Sequence, residues 1–208
     1  MSATRVFLLS PARCDGKRAK LLFNPNATFD LARRIREPGG APLGEVFSFL
    51  SGLYFRGKLT YAQAFAARSG RVAPVHVITT SRGLLTPDTP VTIRDLVEFA
   101  SVDIAAGDAR YLAPLGRDIA ALHGGLPTAA TVVLLGSIAT GKYVDTLVAT
   151  FGERVVFPAE FVGRGDMSRG GLLLRHARDG AELQYVAVAG AVRKGKRPPK
   201  LERTRWAP

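Results

Sequence analysis

A chain of 208 residues is long enough to bury one core without disulfide or metal staples. Its hydrophobic content of 47% and charged content of 22% exclude a disordered polymer. Lys and Arg number 29 against 17 Asp and Glu, a formal charge of +12, which points to a polyanionic partner: nucleic acid first, an anionic membrane surface second.

The single cysteine, Cys14, rules out a disulfide framework and a thiolate zinc site. His76, His123 and His176 stand at no metal-ligand spacing, so neither metal nor cofactor is expected. No segment reaches the roughly 18 apolar residues of a membrane span. Val6–Leu9 is too short for the apolar part of a signal peptide, and Arg13, Lys17 and Arg18 follow closely. The expectation is a cytoplasmic protein without a membrane partner, with a monomer favoured.

In chain order, Val6–Ser10 is an apolar run closed by Pro11 and reads as a buried strand. Ala12–Asn26 is polar, basic and turn-rich, and reads as a surface loop. Phe29–Arg36 is helical in pattern and is stopped by Glu37-Pro-Gly-Gly40. Gly44–Phe65 carries apolar residues at helical spacing. Gly57 and Lys58 interrupt that pattern, so that Leu59–Ala67 would be a second helix. Pro74–Thr79 is rich in β-branched residues and predicts a second strand, with Ser81–Asp88 as its loop.

Thr92–Ala100 predicts a short helix or cap, and Ala109–Leu122 an amphipathic helix. Thr131–Leu135 is a third strand, followed by a helix from about Lys142 to Thr150. Arg154–Phe157 is a fourth strand. Leu172–Ala177 and Leu183–Ala189 are apolar runs, read as two strands or as a strand and a helix. Strands alternating with helices predict a three-layer α/β sandwich on a mainly parallel sheet of about four strands. Residues 1–192 would form that single domain. Residues 193–208 would be a basic C-terminal tail, extended and mobile. Seven cations lie between Arg193 and Arg205, Lys194 and Arg197 among them, against one acid, Glu202. The tail is either a phosphate-backbone clamp or a solvated segment that aids solubility.

Ligands of such sheets sit beyond the C-terminal ends of the strands. The four loops leaving those ends all carry unusual polar residues. After the first strand, Asp15 stands among Arg13, Lys17 and Arg18. A carboxylate among cations keeps its charge and can orient or deprotonate water. Asp-Gly is equally an ordinary turn. Phe23 and Asn24 supply an aromatic face and an amide, the two things that hold a nucleobase. Asn-Pro is also a plain turn signal. In Tyr54-Phe-Arg-Gly-Lys58 the rings read as core, and Arg56 and Lys58 as surface cations for phosphate. Arg82 is a further cation beyond the second strand.

Gly136–Lys142 fits G-x-x-x-x-G-K, but Tyr143 stands where a nucleotide-binding P-loop needs Ser or Thr for Mg²⁺. Ser137, Thr140 and Lys142 are left as a metal-free site for a phosphate or base, or the glycines simply make a tight turn. Phe157–Gly170 is densest in glycine and arginine. Arg164, Ser168 and Arg169 are phosphate-binding types there, Phe161 and Met167 are apolar wedges, and Asp166 is a second candidate carboxylate.

Leu8-Leu-Ser-Pro-Ala-Arg13, Ser51-Gly-Leu-Tyr-Phe55 and Val77-Ile-Thr-Thr-Ser-Arg-Gly-Leu-Leu-Thr-Pro-Asp88 resemble segments of the bacterial peroxide-stress proteins of the YaaA type. Leu135-Gly136 with Tyr143 continues the resemblance, which runs in order from Val6 to about Leu174. These families look related to the uracil-DNA glycosylase-like fold. That resemblance implies a water-activating acid or amide after the first strand and DNA-entering residues in a later loop. By position these roles fall on Asp15 and on Arg164–Arg169. The sequence lacks a Gly-x-Asp-Pro motif after the first strand and a His-Pro-Ser motif after the last.

The expected function is metal-free hydrolysis of the N-glycosidic bond of a damaged or modified base in DNA. Asp15 would be the carboxylate with Asp166 as second candidate. Phe23, Asn24 and Tyr143 would hold the base. Arg13, Arg18, Arg56, Lys58, Arg82, Lys142, Arg164, Ser168, Arg169, Lys194 and Arg197 would hold the DNA. The alternatives are a non-enzymatic DNA-binding stress protein and a nucleotide-binding P-loop-like enzyme.

Overall fold

The structure, a computed structural model, describes residues 4–66, 72–104, 107–193, 195–199 and 201. The first half runs β1 (Arg5–Leu9), α1 (Lys17–Phe23), α2 (Asp30–Arg34), β2 (Ala41–Pro42), α3 (Leu43–Ser51), α4 (Leu53–Phe65) and β3 (Val75–Ile78). It continues through β4 (Leu84–Leu85), β5 (Pro90–Val91), α5 (Ile93–Ala100) and α6 (Ala109–Gly125). The last third is β6 (Thr131–Leu135), α7 (Val144–Phe151), β7 (Val155–Pro158), α8 (Asp166–Asp179) and β8 (Tyr185–Ala187).

Six strands form a mixed sheet in the order β4-β3-β1-β6-β7-β8, flanked by helices. The four strands expected from the sequence are its centre, and β3, β1, β6 and β7 run parallel. The edges differ from the expectation: β4 and β8 each run antiparallel to their neighbour. The central strands are apolar without alternation because both faces are covered. Phe7, Leu8, Leu9, Val132, Val133, Leu134 and Leu135 are all fully buried.

Three elements depart from the sequence reading. Residues Lys17–Phe23 are a helix rather than a loop, and it buries only Ala19 and Leu22, too narrow a stripe to stand out among its lysines and arginine. The Gly44–Phe65 region is broken at Gly52, whose φ of 64° lies in the left-handed region, and not at Gly57. Helix α8 begins at Asp166, inside the segment that reads as a loop, and takes in the run Leu172–Ala177, for which the sequence leaves strand or helix. Gly57 and Gly170 explain the last two misreadings. A Cβ on Gly57 would lie 2.6 Å from the Gly170 carbonyl oxygen, and one on Gly170 would lie 2.6 Å from that of Leu53. The two glycines let α4 and α8 cross with their backbones almost touching, so glycine marks a close approach inside each helix and not a break.

The described part of the basic segment lies against the domain. A Cβ on Gly163 would meet the Lys196 carbonyl oxygen, the Arg164 guanidinium reaches the Pro199 carbonyl at 3.4 Å, and Leu201 packs on the core. Arg197 is exposed, and Lys194 lies outside the described residues.

Candidate functional site

The chain leaves β1, builds β3 on one side of it, then returns to build β6 on the other. Loops after β1 and β6 therefore diverge, and a crevice opens between the two strand ends, where open α/β sheets hold ligands. A cavity of about 980 Å³ sits there. It is lined from the β1 end by Ser10–Arg18, from the β3 end by Thr80, and from the β6 end by Ser137, Thr140, Lys142 and Tyr143. Leu50, Ser51 and Tyr54 close one wall, Phe99–Ile104 another, and Asp166 enters from the start of α8.

Both candidate carboxylates thus face one space. Asp15 stands on the rim. The Arg13 guanidinium holds it at 3.1 and 2.8 Å, and that hydrogen-bonded pairing keeps its carboxyl below the usual range. Asp166 is exposed to the cavity, 3.5 Å from Arg169, and its charge reaches Tyr54 and Tyr143 in the wall and the buried Lys58 behind it. Lys17, Arg18 and Lys142 add exposed cations around the mouth. Arg18 also donates to the Phe49 carbonyl at 3.2 Å, across the break at Gly52. Cys14 is buried beside Asp15, and burial pushes its thiol up to about 12, so it is an inert lining group.

Tyr143 lines the cavity, and its hydroxyl donates to the Ser137 carbonyl at 2.9 Å. A Cβ on Gly136 would lie 2.7 Å from that hydroxyl. The glycine loop after β6 therefore wraps a phenol where a P-loop would wrap phosphate. Asp145 sets its carboxylate against Gly141, with a Cβ there only 2.1 Å from Oδ2, and that charge repels an anion.

Several expected site residues lie elsewhere. Phe23 packs against the core at the end of α1, and the Asn24 side chain accepts from the Asn26 N–H at 3.0 Å; neither lines the cavity. Short polar side chains after a helix fold back on their own turn, and this one does. Arg82 is held by Asp95 at 2.5 Å and Glu98 at 2.6 Å and lies over Phe99. It anchors α5, which carries Phe99, to the loop after β3. Arg56 is exposed on α4, away from the cavity.

Arg169 donates twice to the Phe161 carbonyl and lies over its ring, while Arg164 holds Ser168 at 3.3 Å. The arginines of that segment thus close the turn into α8. Phe161 is buried rather than a wedge, Met167 is exposed, and only Asp166 of the segment reaches the cavity.

The largest correction is Lys58. It is 1% exposed, not a surface cation. Its Nζ donates to the Ser10 carbonyl at 2.6 Å and to Ser10 Oγ at 2.8 Å, between the faces of Tyr54 and Phe55. Burial pulls its pKa down to about 7; Asp166 opposes that shift and Arg169 adds to it. At Lys58 the folded protein therefore binds fewer protons than the unfolded chain above about pH 7. Lys58 should make stability rise with pH between about 7 and 9, by a few kcal/mol in order of magnitude, below the range where the raised Cys14 thiol and buried tyrosines act in the opposite sense. Urea unfolding at about pH 7 and about pH 9 should show the rise in the native protein, and Lys58→Met should remove it.

Sequence reasoning also missed Tyr54 and Phe99 as cavity walls. Tyr54 is 7% exposed, and its buried hydroxyl lies toward Arg169. Its place on an apolar helical face hid it among core residues. Compared with protein-family models, curated proteins and solved structures, the chain matches none. Among the described residues no helix is long and apolar enough to cross a membrane, and no His, Cys, Asp and Glu group is arranged to hold a metal ion.

Proposed function

We propose that the chain is a nucleic-acid-binding hydrolase of the uracil-DNA glycosylase-like class that cleaves the N-glycosidic bond of an extruded nucleotide. The observation that carries this reading is one cavity at the ends of β1 and β6 that holds both Asp15 and Asp166 under a cationic mouth. Its volume of about 980 Å³ takes a nucleotide with room for its neighbours. The resemblance of the Ser10–Arg13 and Val77–Asp88 segments supports the same class.

Departure of the base leaves a cationic sugar. Asp166, free on the side that faces the cavity, stabilises that cation. Asp15, kept ionised by Arg13, orients the water that captures it. Tyr54 and Phe99, rather than Phe23, wall the part of the cavity that takes the base. Lys17 and Lys142 bind the flanking phosphates. Incubation with DNA carrying varied bases, followed by cleavage at abasic sites, tests the reading. Release of one base class supports it. Tight binding without any release would favour a non-enzymatic DNA-binding protein.

The cationic mouth carries its own prediction. DNA affinity should fall steeply with salt. The double variant Lys17→Ala, Lys142→Ala should flatten the slope of log K against log[salt] by about 0.9 for each phosphate that is no longer neutralised. Fluorescence anisotropy over a salt series measures it.

A further inference from the structure

Lys58 has no part in the scheme above, yet a buried lysine without a carboxylate partner is costly to keep. Among the described residues its hydrogen-bond partners are two atoms of Ser10, at 2.6 and 2.8 Å. An uncharged amine has two N–H bonds and one lone pair. In the charged form Nζ donates to both Ser10 oxygens; in the uncharged form one N–H stays on the carbonyl and the lone pair receives the Ser10 O–H, whose other polar neighbour is the Tyr143 hydroxyl. Ser10 lines the cavity and Lys58 does not, so the hydroxyl stands between the ligand space and a base sealed from water.

We propose that Ser10 is a nucleophile primed by Lys58, and that the cavity cleaves an ester of a small anionic molecule. The groups facing Lys58 fit a base at neutral pH. The charged ones are Asp166 and Arg169 from α8, which oppose each other. The others are Tyr54 on its own helix and Tyr143 beside Ser10, phenols that burial holds above their ordinary pKa and hence neutral. With the amine's pKa drawn down to about 7, a large share is uncharged and able to accept a proton.

In the first step the Ser10 Oγ–C bond forms at the ester carbonyl as the Oγ proton passes to Lys58 Nζ. The bond to the leaving alcohol then breaks, and the alcohol takes that proton. Water enters by the same route, gives its proton to Nζ, and releases the acid and the restored serine. The exposed Lys17, Arg18 and Lys142 select an anionic substrate. Neither Asp15 nor Asp166 takes part, so the proposal stands or falls apart from the N-glycosidic reading.

Phenylmethylsulfonyl fluoride is the probe. Its S–F bond breaks as Oγ–S forms, fluoride leaves, and the proton goes to Lys58. The expected result is one adduct per chain on the Ser10 peptide, with a rate that climbs through a midpoint near 7, and none in Ser10→Ala. Lys58→Met, its fold checked by circular dichroism, should react at least about a hundredfold more slowly, the scale of a lost general base. A p-nitrophenyl monoester of a dicarboxylic acid should turn over faster than neutral p-nitrophenyl acetate. Absence of a Ser10 adduct, or equal rates in folded Lys58→Met, overturns the proposal. Should Lys58→Met fail to fold, the native profile decides: a rate that stays flat from about pH 6 to about pH 9 overturns it as well.

Discussion

Gly170→Ala and Gly57→Ala should each destabilise the protein by about 2–3 kcal/mol, and valine at either position should prevent folding. A methyl group on Gly170 would stand 2.6 Å from the Leu53 carbonyl oxygen and 2.9 Å from Tyr54 Cα. One on Gly57 would stand 3.0 Å from Gly170 Cα. These neighbours are backbone atoms, so no rotamer change relieves the clash and the helices must separate. Where a helix has no such neighbour, glycine to alanine inside it stabilises. The sign of the change therefore tests the crossing itself. Denaturant titration reads it, and a stabilised Gly170→Ala would show that α4 and α8 do not meet as described. The crossing also sets the site, because α4 carries Tyr54 and Lys58 while α8 begins at Asp166.

Asp166→Asn should lower base release about 10²–10⁴-fold with DNA affinity little changed. The amide keeps the shape and loses the charge that a cationic sugar requires. Asp15→Asn should cost less, since the Arg13 guanidinium holds the rim carboxylate at 2.8 Å while Asp166 stands 3.5 Å from Arg169. Loss of its charge also frees Arg13 for phosphate, so binding should tighten. Single-turnover release and anisotropy on the same variants separate the two effects. Equal losses of affinity and rate in Asp166→Asn would mean that the residue serves binding alone.

How far the sequence could be read follows from what surrounds each segment. Thr131–Leu135 and Val75–Ile78 were legible because a strand covered on both faces must be an apolar run. Of the edge strands, β8 falls inside the apolar run Leu183–Ala189, whereas β4 is two residues long and leaves no pattern to read. Helix α8 was hidden because Gly170 and Gly171 break a helical pattern on paper, whereas Gly170 is there for its close approach to α4.

The site was legible as a place more than as a set of side chains. Loops after parallel strands are its walls, which is why Asp15, Lys142, Tyr143 and Asp166 were found. Phe23, Asn24, Arg164 and Arg169 were chosen by residue type, and core packing, local turn bonds and ring stacking claimed them instead. Lys58 was missed because lysine is the residue least expected inside. Its signal was spacing: with Tyr54, Tyr61 and Ala62 it shares the buried face of α4.

A photo-crosslink from a single thio-substituted thymidine in duplex DNA tests most directly whether the cavity receives an extruded nucleotide. Crosslinks should map by mass spectrometry to the peptides carrying Tyr54, Phe99 and Tyr143, and should vanish when a bulky residue fills the space, as in Ser51→Trp. Crosslinks confined to the exposed Arg56 face or the Arg197 segment, with those three peptides unmarked, would contradict the account.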